Sequence, residues 1–281
     1  MTKDKVLLKI SNVGKRFGEV LALDNVSFEI NSGEVVGLVG SNGAGKTTLL
    51  RLMSGVYRPS SGSVTLGDQT PVHLMRDSLG VVPESTGLYS RLTAWENIRY
   101  HSRLYGVDDS VSWKRTLKFA QSLDMEENLS RYTKGFSRGM RQKTALLRAL
   151  AHGPSVLLLD EPTAGLDITS ARTVRSLVEQ IKLEGGTVVY STHQLFEAQQ
   201  VCDRIIIIHN GNVMADGSPE QLINENGCKT LEEAYVALTQ EKARVRFEDG
   251  NVDKGLTKIW NKLFRPKTPT ISSHLEVIES E

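Results

Sequence analysis

Cysteine is scarce in this 281-residue chain. Cys202 and Cys228 are its two cysteines, too few for a disulfide framework and in keeping with a reducing cytosol. The start, Met1-Thr2-Lys3-Asp4-Lys5, has no apolar h-region and argues against a signal peptide. No apolar run approaches the about 20 residues that a membrane span needs. The longest, Val156 to Leu159 and Ile205 to Ile208, have the length of buried strands. If the protein works at a membrane, another subunit must supply the spans. Net charge is nearly absent too, at +1. That balance neither favours nor excludes a polyanionic partner, though a nucleic-acid reader is more often clearly basic. No internal repeat is found. What remains is ordinary for a soluble globular chain, with 39% hydrophobic and 24% charged residues. The length suits one large domain or two small ones around a substantial core.

Hydrophobic patterning divides the chain. Residues 5 to 35 alternate apolar and polar, through Val6 to Ile10, Leu21 to Leu23 and Val26 to Ile30, which predicts antiparallel strands with one wet face. Ser61 to Gly67 adds one more strand. Residues 86 to 150 read as helices, one of them opened by a capping box at Thr93-Ala94-Trp95-Glu96. Val156 to Asp160 and Thr187 to Ser191 are short apolar strands of the kind buried in a parallel sheet. Leu166 to Leu183 and Leu195 to Cys202 read as helices between strands. Arg204 to Met214 reads as a hairpin turning at Asn210-Gly211. From about Asn226 the chain is a charged extension. Within it, Gly255 to Arg265 places Leu256, Ile259, Trp260, Leu263 and Phe264 on one helical face. That face would dock on the protein or its dimer mate, or else lie on an anionic membrane surface.

The densest chemical signal is Gly40 to Thr48, GSNGAGKTT, between the apolar strand Glu34 to Val39 and a helix read from Thr48 to Met53. Strand, glycine loop and helix make a phosphate cradle. Ser41, Asn42, Gly43, Ala44, Gly45, Lys46, Thr47 and Thr48 would surround the phosphates. Gly43 and Gly45 allow successive N–H groups to turn inward, and the helix start adds partial positive charge. Lys46 would reach the β- and γ-phosphates, and the Thr47 hydroxyl would sit on Mg²⁺. An ordinary glycine-rich turn is the bland alternative. The loop alone names neither the nucleotide nor the purpose.

Two further motifs complete a site. The strand Val156 to Asp160 ends in two carboxylates, with Asp160 expected on Mg²⁺ and Glu161 expected to polarise the attacking water as general base. Phe136-Ser137-Arg138-Gly139-Met140-Arg141-Gln142 precedes a helix read from Lys143 to Ala151. Ser137 is a good N-cap there, and Gly139 lets backbone approach a ligand. After the acidic strand comes Pro162-Thr163-Ala164-Gly165-Leu166-Asp167, and after the next strand Ser191-Thr192-His193.

In this order the motifs resemble those of the ABC (ATP-binding cassette) ATPases over roughly residues 5 to 225. The resemblance implies an α/β fold: a P-loop NTPase (RecA-like) parallel-sheet core with an N-terminal antiparallel β subdomain and an inserted helical subdomain at about residues 86 to 150. It implies ATP and Mg²⁺ as ligands. It implies that Phe17 stacks on adenine and that Ser137 and Gly139 face the γ-phosphate of ATP held by a second cassette. By the same token Asp167 would lie at the dimer seam and His193 would contact the γ-phosphate. Phe17 as a core residue and His193 as a turn residue are the alternatives. Two departures stand out. The usual LSGGQ signature is here Phe136-Ser137-Arg138-Gly139-Met140, and the usual Gln that ligates Mg²⁺ is here Glu84. With Thr86 to Tyr89 and Leu231-Glu232-Glu233-Ala234-Tyr235, these departures are similar to the ABC-2 exporter branch, which includes sodium-efflux and drug-resistance ATPase subunits. Such a protein would be the ATPase of an exporter, peripheral at the cytoplasmic face of the membrane. Its partners would be a second cassette, expected as a homodimer, and separate membrane-spanning permease subunits, with no nucleic acid. The competing class is a soluble ABC ATPase acting on ribosomes or nucleic acid.

Overall fold

A computed structural model describes residues 5–67 and 69–248; the helix expected at Gly255 to Arg265 lies outside the described residues. The first two strands, β1 (Val6–Phe17) and β2 (Val20–Asn31), pair antiparallel. With β4 (Ser61–Leu66) and β5 (Thr70–Pro71) they form a four-stranded antiparallel sheet of order β2-β1-β4-β5. A six-stranded sheet makes the centre. It contains β3 (Val35–Val39), β6 (Leu79–Val82), β7 (Val156–Asp160), β8 (Thr187–Thr192), β9 (Arg204–His209) and β10 (Asn212–Gly217), in the order β10-β9-β3-β8-β7-β6. β10 alone runs antiparallel to its neighbour.

The central strands are apolar throughout because both faces are covered, and alternation sends their side chains to two different cores. Val35, Val39, Leu157, Leu159, Val188, Tyr190, Ile205 and Ile207 face one core. It is completed by α4 (Arg138–Leu150) and α5 (Ile168–Leu183) through Ala145, Leu146, Leu147, Val174, Leu177 and Val178. The intervening residues Val36, Leu38, Val156, Leu158, Val189, Ile206 and Ile208 face the other core. There they meet Leu49, Leu52 and Met53 of α1 (Lys46–Met53) and Leu8, Ile10, Leu23, Phe28 and Ile30 of the antiparallel sheet.

Between β6 and β7 the chain forms α2 (Ala94–Leu104), α3 (Asp109–Ser122) and α4. The capping box expected at Thr93 is present: Thr93 Oγ1 accepts from the Glu96 amide at 3.1 Å, and Glu96 Oε2 accepts from the Thr93 amide at 2.8 Å. Such a cap stabilises a helix start by about 1 kcal/mol. After β8 come α6 (Leu195–Val201), α7 (Pro219–Glu225) and α8 (Leu231–Glu248). Among the described residues no helix is long and apolar enough to cross a membrane. Both cysteines are free thiols. Cys202 is buried against Gly37, where a Cβ would lie 2.9 Å from its sulfur, and burial pushes its thiol pKa up.

Several boundaries differ from expectation, the helix starts for a capping reason. The helix read from Thr48 starts at Lys46, because Gly45 is already its N-cap. The helix read from Lys143 starts at Arg138, directly after the Ser137 cap, and the helix read from Leu166 starts at Ile168, after Asp167. Leu21 to Leu23 and Val26 to Ile30 are one strand, with Asn25 in a left-handed conformation at φ 51° between them. In β1 Asn12 is left-handed as well, its amide donating to Ser27 Oγ at 2.8 Å, and the β1–β2 pairing shifts register around these positions.

Candidate functional site

The parallel strands β3, β7 and β8 end together, and register sets what meets there. Asp160 pairs with Ser191, and Val39 pairs with Thr192. The chain leaving β3 becomes the loop Gly40 to Gly45, that leaving β7 begins with Glu161, and that leaving β8 presents His193. A site at the carboxyl edge of a parallel sheet follows directly.

In the loop, Gly43 and Gly45 have φ of 82° and 112°. A Cβ on Gly45 would also lie 2.8 Å from the Leu23 side chain, so glycine is required there on both counts. Ser41, Asn42 and Gly43 are exposed, Ala44 is buried, and Thr47 and Thr48 are half-buried in the first turn of α1. Gly45 provides no side-chain cap, which leaves the first N–H groups of α1 available to an anion.

Lys46 is 6% exposed. Its Nζ donates to Gly40 O at 2.8 Å and to Ser41 O at 3.3 Å, and lies 3.4 Å from Glu161 Oε1. The other carboxylate oxygen, Glu161 Oε2, is 2.9 Å from His193 Nδ1. A carboxylate can only accept, so Nδ1 carries the proton and Nε2 is left free. Glu161 has φ 48°, a left-handed conformation that costs a non-glycine residue about 1–2 kcal/mol. Strain of this kind concentrates at functional sites. Next to it, Asp160 Oδ1 accepts from Thr47 Oγ1 at 3.2 Å and from Ser191 Oγ at 2.8 Å.

Lys46, Thr47, Asp160, Glu161 and His193 are thus brought together. So is a residue the sequence reasoning passed over. Ser191, fully buried, donates to Asp160 and accepts from the Glu161 amide at 3.1 Å. It holds both carboxylate residues in register. Replacing Ser191 by Ala removes both bonds and leaves the Glu161 amide with the Ser191 carbonyl at 3.2 Å. The expected result is a loss of about 1–3 kcal/mol in stability, read by chemical denaturation, with a fall of about tenfold in ATPase rate.

A second group of expected residues meets elsewhere. Ser137 caps α4, its hydroxyl accepting from the Met140 amide at 3.2 Å. Gly139 packs on Ser170, where a Cβ would lie 2.7 Å from the hydroxyl. Ser170 in turn donates from its amide and hydroxyl to Asp167, at 2.8 and 2.7 Å. These bonds, the amide's first, hold the Asp167 carboxyl below the usual carboxylate range. Arg138 lies against Gly165, so the signature turn and the turn before α5 form one surface. Among the described residues, no side-chain hydrogen bond or ion pair joins this group to Lys46, Asp160 or Glu161. Glu84 is exposed after β6, with no hydrogen bond or ion pair to Thr47, Asp160 or Glu161 among the described residues. Phe17, at the end of β1, is 43% exposed, which removes the core-residue alternative. Its ring packs edge-on against Tyr57 at 5.5 Å, with Lys15 Nζ 5.0 Å from its centroid.

A glycine loop leading into a helix, with an acidic strand end beside it, defines a P-loop nucleoside triphosphatase. Comparison with known proteins carries this further. Residues 23–164 match the family described as ABC transporter. The chain is 38% identical over 239 residues to the ABC transporter ATP-binding protein NatA of Bacillus subtilis (strain 168), covering 82% of this chain and 97% of that protein. It is 34% identical to the Nod factor export ATP-binding protein I of Ralstonia nicotianae, covering 80% and 72%. A probable sulfate/thiosulfate import ATP-binding protein, CysA of Chlorella vulgaris, is 37% identical, covering 76% and 92%. Among solved structures, a dimeric ATP-binding cassette in a post-hydrolysis state bound to ADP and Pi superimposes with a TM-score of 0.69 at 28% identity, covering 75% of this chain and 98% of that one. The chain therefore belongs to the ABC transporter family. It is an ATP-binding, ATP-hydrolysing subunit with the cassette fold.

Proposed function

We propose that two copies of this chain close on two ATP molecules and use their hydrolysis to drive export through separate membrane-spanning subunits. The observation that carries this reading is the division of Glu161 between Lys46 at 3.4 Å and His193 at 2.9 Å. A carboxylate so placed beside the phosphate loop suits a general base for water attacking the γ-phosphate. Lys46 leaves Glu161 for the β- and γ-phosphates as ATP enters, and the residues Ser41 to Thr48 line the cradle. Phe17 stacks on the adenine, its half-exposed ring being available for it. His193 steadies the γ-phosphate through the free Nε2. Ser137, Gly139 and Asp167, gathered on a surface of their own, close the site of the other copy.

The donor set at Thr47 and Asp160 fits Mg²⁺, which takes hard oxygen ligands. Thr47 and Ser191 both bond Asp160 Oδ1, so the other carboxylate oxygen is available to a cation. When bound, the ion would neutralise charge on the phosphates. Glu84 is the third ligand in this reading, although a carboxylate there opposes the γ-phosphate charge. Glu84→Ala is expected to slow ATP hydrolysis and raise the Mg²⁺ concentration needed for half-maximal rate. Unchanged rate and Mg²⁺ dependence would remove Glu84 from the site.

The ATPase domain spans 5–225, with the helical subdomain at about 86–150 and Glu84 carrying closure to the permease. Residues 226–281 form an extension. The protein sits peripherally at the cytoplasmic face of the cell membrane. Export follows the ABC-2 resemblance and the export protein among its relatives. Affinity purification of the tagged chain from detergent-solubilised cells is expected to bring down a multi-span membrane protein. Ribosomes or DNA in its place would favour the soluble class.

A further inference from the structure

We propose that Tyr235 is a positioning residue of the nucleotide loop, its hydroxyl setting the Gly40–Ser41 peptide that holds Lys46 before ATP arrives. This rests on the reading of Gly40 to Thr48 as the ATP site. The Ser41 amide donates to Tyr235 Oη at 3.1 Å, a contact spanning 194 residues of sequence. The carbonyl of that same peptide unit, Gly40 O, accepts from Lys46 Nζ at 2.8 Å. A peptide unit is planar, so its N–H and C=O cannot turn independently. Pinning the N–H therefore pins the carbonyl on which the Lys46 ammonium rests. One residue on, Ser41 O takes both the Ala44 amide at 3.1 Å and Lys46 Nζ at 3.3 Å. The arm Ser41-Asn42-Gly43 is otherwise exposed, and left-handed Gly43 follows it. Tyr235 is the side chain that fixes this arm from outside the loop.

Its own position is fixed in turn. Thr230 caps α8, with Oγ1 accepting from the Glu233 amide at 3.2 Å while Glu233 Oε2 accepts from the Lys229 amide at 2.8 Å. Leu231, Ala234, Tyr235 and Leu238 share one helical face at i, i+3, i+4 and i+7. Leu231 and Ala234 are fully buried, and Tyr235 and Leu238 pack on the same core as the central strands. A tyrosine held this way has two torsions, both restricted by packing, so its hydroxyl is presented to Ser41 with little further loss of freedom. Phenylalanine would fill the same packing role. The loop alone requires the hydroxyl.

The test uses the full chain and titrates it with the fluorescent nucleotide MANT-ATP, beside steady-state ATPase kinetics. Tyr235→Phe is expected to raise the MANT-ATP Kd and the KM for ATP by about three- to tenfold, the size of one lost hydrogen bond. The kcat at saturating ATP stays within about twofold. In the nucleotide-free protein, amide exchange in the segment containing Gly40 to Gly43 becomes faster. Unchanged Kd, KM and exchange would overturn the proposal, as would a fall in kcat with KM unmoved. Lys46→Ala separates this from the wider reading. If Lys46→Ala loses MANT-ATP and Tyr235→Phe keeps it, Tyr235 alone is misassigned. If Lys46→Ala binds as the parent does, the loop is not the ATP site.

Discussion

Lys46→Ala is expected to bind ATP about 30 to 1,000 times more weakly than the parent, a loss of about 2–4 kcal/mol. Hydrolysis should fall below detection at physiological ATP. The reason lies in what the ammonium does before and after nucleotide arrives. In the nucleotide-free chain it is almost fully buried, held by two loop carbonyls and by Glu161. It is thus a desolvated cation waiting next to the phosphate cradle, and among the described residues no other Lys or Arg is ion-paired to Glu161 to take over. Glu161 Oε1 is buried and makes no hydrogen bond even in the parent, and the substitution removes its ion-pair partner at 3.4 Å, so a lower melting temperature accompanies the loss. Isothermal titration with ATP, alongside circular dichroism to confirm folding, checks both parts.

Glu161→Gln separates binding from chemistry. The amide keeps the size of the side chain and its capacity to accept from His193 Nδ1, and the backbone contact to Ser191 is untouched. The negative charge and the basic oxygen are lost. Turnover should fall by about 10²–10⁴-fold, the ordinary contribution of a positioned base. ATP affinity should stay the same or tighten, because Gln competes less well than Glu for the Lys46 ammonium that the phosphates must recruit. Single-turnover hydrolysis and equilibrium binding measured on one preparation read the two effects apart. Full activity in this variant would overturn the assignment of the base.

How much of this was legible in the sequence depends on how local each feature is. The glycine loop and Asp160-Glu161 are contiguous motifs whose backbone requirements are written in adjacent residues. The apolar centres of β3, β7 and β8 followed from burial on both faces. Helix starts were misplaced by two to five residues where the capping residue lay away from the start that apolar periodicity suggested, earlier at Ser137 and later at Asp167. Asn25 hid the continuity of β2, since a left-handed residue between two apolar runs looks like a turn when read singly. Ser191 and Tyr235 stood in motifs but were given no role at the site. Ser191 reaches Asp160 across 31 residues and Tyr235 reaches Ser41 across 194, and those pairings exist once register and helix docking are set. The polar residue opposite Asp160 in the next strand was the available signal for Ser191. The signature surface is different again. Ser137, Gly139 and Asp167 assemble within one chain, yet no side-chain hydrogen bond or ion pair among the described residues joins them to Lys46 or Glu161, as for half-sites meant for another copy.

That separation makes oligomeric state under trapping conditions the most direct test of the central claim. Sedimentation equilibrium of full-length Glu161→Gln, with and without saturating ATP, gives the answer in one experiment. The expected result is a monomer without nucleotide and a dimer holding two ATP molecules with it. The dimer should be lost again when Ser137 is also replaced by a bulky residue. A protein that remains monomeric with ATP bound would contradict the account of a site shared between two chains.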